Sequence, residues 1–145
     1  MLQQAISLAV EAHAQSAPDK GGQPYILHPL RVMLRLETDD ERIVAVLHDV
    51  VEDTQHTLDS LRARGFSAEV VAALDCVTKR EGEAYEQFIT RCEKNPLARR
   101  VKLADLEDNM DVRRLASVSA KDAERLAKYV TSWHRLKAVD KESAR

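Results

Sequence analysis

The run Val44-Ala45-Val46-Leu47-His48-Asp49-Val50-Val51-Glu52-Asp53-Thr54 constrains the fold more than any other part of the chain. Nothing polar occurs from Val44 to Leu47, and an imidazole and three carboxylates then follow among further valines. On a helix turning 100° per residue, His48, Asp49, Glu52 and Asp53 fall within an arc of about 140°. The aliphatic neighbours belong in a core, where carboxylates are seldom found unless something compensates their charge. A divalent metal is the compensator that this set of donors suits. A helix with several acids on one side is otherwise a solvated face, so a metal site needs ligands from elsewhere in the chain.

With 145 residues, the chain has room for one domain around one sizeable core. Four Gly and four Pro leave little material for turns, which disfavours β-hairpins and favours long helices. A net charge of −2 gives no basic footprint for nucleic acid. No apolar run approaches the length of a membrane span, and Met1-Leu2-Gln3-Gln4 opens no signal peptide. Cys76 and Cys92 form no CxxC pair and read as reduced thiols of a cytoplasmic protein. A homo-oligomer is left open.

Ala5, Leu8, Ala9 and Ala12 recur at helical spacing and predict a first helix from 2 to about 16, with His13 beside its apolar stripe as a satisfied helix histidine. Pro18-Asp19-Lys20-Gly21-Gly22-Gln23-Pro24 is a loop. Tyr25-Ile26-Leu27-His28-Pro29 leads into the next helix, which places His28 near a helix start. Thr38 with Glu41 forms a capping box opening a helix that should run to about Thr54. Thr57 and Ser67 cap short helices over 58–64 and 68–77, with Gly65 at a C′ position, and another helix covers 84–94. Asn95-Pro96 opens a helix through about Arg114, on which Asp105, Asp108 and Asn109 share a face. Its Arg99-Arg100-Val101-Lys102 stretch reads as a solvated or phosphate-facing edge. Ser119 with Asp122 caps a last helix to about Val139, where Arg125 and Tyr129 stand one turn apart. The expected fold is an all-α, irregular multi-helix bundle over 1–139, followed by a flexible tail at 140–145.

Three segments taken together resemble the hydrolase domain of RelA/SpoT-type proteins, within the HD metal-dependent phosphohydrolase superfamily. They are Pro24-Tyr25-Ile26-Leu27-His28-Pro29, Leu47-His48-Asp49-Val50-Val51-Glu52-Asp53-Thr54, and Val101-Lys102-Leu103-Ala104-Asp105 with Asn109. Size and motif order are similar to the stand-alone small alarmone hydrolases of that family. The resemblance implies one metal, usually Mn²⁺, held by His28, His48, Asp49 and Asp105. Such ligands also suit Fe²⁺ or Zn²⁺. It further implies Glu52 and Asp53 as the catalytic pair acting on water. The implied reaction removes the 3′-pyrophosphate from ppGpp or pppGpp to give GDP or GTP and pyrophosphate.

By the same resemblance, Lys20, Asn109, Arg125 and Tyr129 contact the nucleotide substrate. The chain departs from the family at Asp19, where a basic residue is usual, and at Leu106-Glu107-Asp108, where Arg-Leu-His is usual. Asp19 cannot pair with phosphate as Arg does, and Asp108 is expected to add negative charge where a polyanion must bind. Two alternatives therefore stand beside the alarmone reading. One is an HD phosphohydrolase acting on another phosphorylated nucleotide or on NADPH. The other is a nucleotide-sensing module without turnover, which the presence of Glu52 and Asp53 disfavours.

Overall fold

Short polar side chains set where most of the helices begin. Thr38 accepts the backbone N–H of Glu41 while Glu41 reaches back to the N–H of Thr38, and Thr57 and Ser60 do the same one helix later. Ser67, Asn95 and Ser119 supply further caps, each contributing about 1 kcal/mol. The computed structural model describes residues 1–143. The helices are α1 (Leu2–Ala12), α2 (Leu27–Leu34), α3 (Asp39–Leu47), α4 (Val50–Asp53), α5 (Leu58–Ala63), α6 (Ala68–Val77), α7 (Tyr85–Lys94), α8 (Pro96–Asn109) and α9 (Ala120–Ser143), with a 3₁₀ turn at Val112–Arg114. No strand occurs among the described residues. The all-α bundle expected from the sequence is the fold observed.

The α8 helix is the axis. It packs against α2, α3, α6, α7 and α9, while α3 packs against α1, α2, α6 and α8. Val32, Val44, Val46, Leu47, Leu74, Ile89, Val101, Leu106 and Leu136 are fully buried between them. Surrounded on several sides, α8 buries even Arg99, Asp105 and Asp108. A helix buried this way satisfies its polar side chains within the protein.

Four sequence expectations are corrected. The first helix ends at Ala12, with His13 as its C-cap, and not near residue 16. The helix expected from Thr38 to Thr54 is broken at His48-Asp49 into α3 and α4. The edge Arg99-Arg100-Val101-Lys102 is turned mostly inward, and of the four only Arg100 keeps substantial exposure. Arg99 bonds Asp140, the Glu93 carbonyl and Ser143, Arg100 bonds Glu41, and Lys102 is buried against Asp105. The helix expected to run from Asn95-Pro96 to about Arg114 ends at Asn109, and a separate 3₁₀ turn covers Val112–Arg114. The α9 helix extends to Ser143, where Asp140 and Ser143 meet Arg99. Residues 144 and 145 lie outside the described residues.

Candidate metal centre and active site

Three elements deliver the cluster. His28 is the second residue of α2, His48 and Asp49 form the break between α3 and α4, and Asp105 lies on α8. The break has a local cause. The His48 ring places Nδ1 2.6 Å from the Ala45 carbonyl oxygen, the acceptor that an unbroken helix would offer to the N–H of Asp49. Asp49 then adopts φ −99°, ψ −4°, outside regular helix. The imidazole and the carboxylate thereby leave the helical register and turn toward α2 and α8.

Donor atoms of His28, His48 and Asp49 all lie within 4.8 Å of one another. Nε2 of His48 is 3.1 Å from Asp49 Oδ2 and 3.3 Å from Asp105 Oδ1, and Nε2 of His28 is 3.0 Å from Asp105 Oδ1. Despite those distances, the buried His48 Nε2 has no partner in hydrogen-bonding geometry among the described residues. With Nδ1 committed to Ala45, Nε2 is the ring atom directed into the cluster. Burial by itself depresses the pKa of both histidines, and the neighbouring carboxylates outweigh it and hold them above the ordinary value. Burial likewise pushes Asp49 up, and the His48 charge overcomes this and sets it at about 2. Asp105 stays well below the carboxylate range against its burial, through Lys102 first and His48 second. The cluster thus selects positive charge at its centre, and a two-histidine, carboxylate donor set fits a divalent transition metal.

Beside the cluster opens a cavity of about 570 Å³. His28, Tyr25 and Asp53 line it together with Lys20, Asn109, Arg125 and Tyr129, so all four expected substrate contacts face the same space. Three of these four contacts already have partners. Lys20 Nζ sits 2.8 Å from Asp122 Oδ1, Arg125 lies 3.9 Å from the same oxygen, and Asn109 Nδ2 donates to Asp105 Oδ1 at 3.1 Å. Glu52, exposed beside Asp53, does not line the cavity. Both carboxyls are pushed up, first by partial burial and then by the Asp49 charge, with Asp53 reaching about 6. Because α4 is a single turn, the unfavourable dipole of a long helix C-terminus does not act on the pair.

No family model matches the chain. Similar proteins include the guanosine-3′,5′-bis(diphosphate) 3′-pyrophosphohydrolase of Aquifex aeolicus, 35% identical over 121 residues that cover 75% of this chain and 17% of that protein. A probable guanosine-3′,5′-bis(diphosphate) 3′-pyrophosphohydrolase of Synechocystis is 33% identical over 139 residues, covering 86% and 18%. The chain thus spans less than one-fifth of the length of these relatives. A solved metazoan ortholog of SpoT, described as hydrolysing ppGpp, superposes with a TM-score of 0.77 at 20% identity over 97% of this chain and 92% of that one. The chain is a small homologue of the RelA/SpoT hydrolase domain.

Within this RelA/SpoT-type domain, the departures prove to be paired. Asp19 accepts the N–H groups of Gly21 and Gln23, closing the loop on itself, and its second oxygen meets Arg114 at 3.4 Å. Arg114 also donates to the Asp108 carbonyl at 2.8 Å. Leu106 is fully buried and belongs to the core. The expectation that Asp108 adds free negative charge to the substrate site is corrected. It is 1% exposed and held by Arg31, Arg35, Arg114 and the Nδ1 of His28. Burial pushes its carboxyl up, yet the His28 and Arg31 hydrogen bonds set it well below the usual range.

Two site residues, Tyr25 and Lys102, carry no expectation from the sequence, and a third, His13, is expected there as a satisfied helix histidine. Tyr25 donates its hydroxyl to Asp49 Oδ2. Lys102 Nζ meets Asp105 Oδ2 at 2.8 Å and lies 4.9 Å from the centre of the Phe88 ring. His13 packs on Tyr25, ring centroids 5.0 Å apart, with Nδ1 3.2 Å from Ser16 Oγ and Nε2 unpartnered, so it is only half satisfied. Tyr25 and Lys102 sit inside the very segments that carry the family resemblance, and Lys102 precedes Asp105 by one helical turn. That spacing was the available signal.

Proposed function

We propose that this chain hydrolyses the 3′-pyrophosphate of ppGpp or pppGpp, releasing GDP or GTP and pyrophosphate. The observation that carries the reading is the convergence of two imidazole nitrogens and carboxylate oxygens beside a cavity lined by Lys20, Asn109, Arg125 and Tyr129. His28, His48, Asp49 and Asp105 would hold the cation, with Mn²⁺ first and Fe²⁺ or Zn²⁺ behind it. When bound, such an ion supplies Lewis acidity, acidifying water and offsetting charge on phosphoryl oxygens.

The remaining work falls to the chain's own side chains. Lys20 and Arg125 exchange Asp122 for phosphate oxygens, and Tyr129 offers an apolar face to the nucleoside. Asp53, with Glu52 beside it, orients the attacking water and takes its proton. Water oxygen joins phosphorus, the bond from phosphorus to the ribose 3′ oxygen breaks, and a proton returns to that oxygen. Tyr25 steadies Asp49 through the same Oδ2 that faces the histidines, and Lys102 steadies Asp105 through the oxygen turned away from them.

One observation favours keeping a second substrate class in view. Asp19 is consumed by its own loop and by Arg114, so this position offers no cation to a purine or a phosphate. Another phosphorylated nucleotide, or NADPH, is the alternative. The test is release of pyrophosphate or phosphate from ppGpp, pppGpp and NADPH, with Mn²⁺ and with chelator. Mn²⁺-dependent conversion of ppGpp to GDP, lost in His48→Ala, supports the reading. Turnover of NADPH alone moves the substrate, and no turnover by folded, Mn²⁺-loaded protein sinks both.

A further inference from the structure

We propose that Asp108 is a positioning residue for His28, fixing the imidazole so that Nε2 is presented to the metal. The inference rests on the metal site proposed above and goes beyond it to a residue where this chain departs from its relatives' usual pattern.

Both histidines of the cluster use the same device with different acceptors. His48 commits Nδ1 to the Ala45 carbonyl at 2.6 Å, and His28 commits Nδ1 to Asp108 Oδ2 at 2.7 Å. A neutral imidazole whose Nδ1–H is so engaged carries its lone pair on Nε2. In His28 that atom lies 3.0 Å from Asp105 Oδ1 and 3.8 Å from Asp49 Oδ2, inside the cluster. A carboxylate acceptor does more than a carbonyl, because its charge raises the basicity of the ring as a ligand. A buried carboxylate can serve this way only if it is itself fixed. Arg31 does so through Nε at 2.8 Å and a second nitrogen at 3.1 Å, in a two-pronged grip.

Arg114 extends the arrangement outward. One of its nitrogens donates to the Asp108 carbonyl and lies 3.5 Å from Oδ2, while another meets Asp19. Gly21 packs so closely on the carbonyl of Arg114 that a Cβ there would come within 3.1 Å of it. The loop that carries Lys20 is therefore fastened to the residue that steadies Asp108. In place of the usual basic and histidine side chains, this chain has two acids bridged by one arginine.

The test measures Mn²⁺ affinity by calorimetric titration of the full chain, comparing parent, Asp108→Asn and His28→Ala. Asn keeps an acceptor oxygen and the volume but removes the charge. Asp108→Asn is expected to weaken Mn²⁺ by about 10- to 100-fold, with kcat recovering to within several-fold of the parent at saturating Mn²⁺. A purely structural role would lower stability and leave the Mn²⁺ affinity of the folded fraction unchanged. Affinity within twofold of the parent in folded Asp108→Asn, with His28→Ala losing the ion, overturns this inference alone. Retention of the ion by His28→Ala removes the metal site as well. Should Asp108→Asn not fold, imidazole ¹⁵N spectra of the Zn²⁺-loaded parent decide. A His28 ring protonated at Nδ1 and hydrogen-bonded upholds the assignment, and a ring protonated elsewhere overturns it.

Discussion

The two ends of the site are built on different terms. At the cluster, His28, His48 and Asp105 are at most 6% exposed, and three helices fix them through the same packing that makes the core. At the far side of the cavity, Lys20 is half-exposed and Arg125 about one-third exposed, and what holds them is a shared aspartate on α9. The first arrangement cannot rearrange without disturbing Val44, Leu47 and Leu106. The second can exchange a carboxylate for a phosphate at little cost, since exposed ion pairs contribute only about 0.2–1 kcal/mol.

Removing a donor from the rigid end should have the largest effect. His48→Ala is expected to lower kcat/KM by about 10³-fold or more, since several kcal/mol of charge stabilisation are lost. It should also abolish the rise in melting temperature that Mn²⁺ gives the parent, which at 100 times Kd corresponds to about 2.7 kcal/mol. An Mn²⁺-dependent rise that survives in His48→Ala would show that the ion binds elsewhere.

Asp53 stands between the two ends, exposed on a single helical turn yet facing the cavity. Asp53→Asn should cost about 10²-fold in kcat, the low end for losing a proton acceptor, while stability moves by under about 0.5 kcal/mol. Steady-state kinetics and thermal melts on one preparation check both. A loss confined to KM would place Asp53 with the rim.

Asp122→Asn tests the exchangeable end directly. Asn still accepts the Ser119 N–H, so the α9 start survives, while Lys20 and Arg125 lose their competing anion. KM for a polyphosphorylated nucleotide should fall by about two- to fivefold with kcat unchanged, matching the worth of an exposed pair. A rise in KM would mean that the Asp122 pair is part of the bound arrangement.

The smallest effect belongs to an ion pair in neither region. The Arg91 hydrogen bond holds Glu83 at about 2, below its ordinary 4.5. A depressed carboxylate contributes stability that is complete above about pH 4.5 and is lost as pH falls through about 2. Urea melts across that window should therefore show the parent approaching Glu83→Gln in stability as pH drops, with turnover at neutral pH the same in both. A constant gap between them would show that the pair is not coupled to protonation.

Much of this protein was legible from local chemistry. Thr38 with Glu41, Thr57, Ser67 and Asn95-Pro96 mark helix starts because a short side chain bonds backbone only a few residues away, and such bonds need no knowledge of the rest of the fold. Asp19, Asp108 and Lys102 were misjudged or passed over for the opposite reason. Their partners are Arg114, Arg31 with His28, and Phe88 with Asp105, and all but one of these lie on other elements. The break at His48-Asp49 was hidden too, because periodicity describes a helix and not a ring that takes one of its carbonyls.

The sequence by itself determined the helices, the apolar faces and the short list of residues able to hold a cation, because caps, spacing and donor type are properties of neighbours along the chain. Tertiary structure alone decided which charges are spent. Asp108 is neutralised and Asp122 is paired only because α2, α8, α9 and the loop before α2 meet where they do. A charge buried or exposed by packing has an energy set by its surroundings in space, and the order of residues does not contain those surroundings.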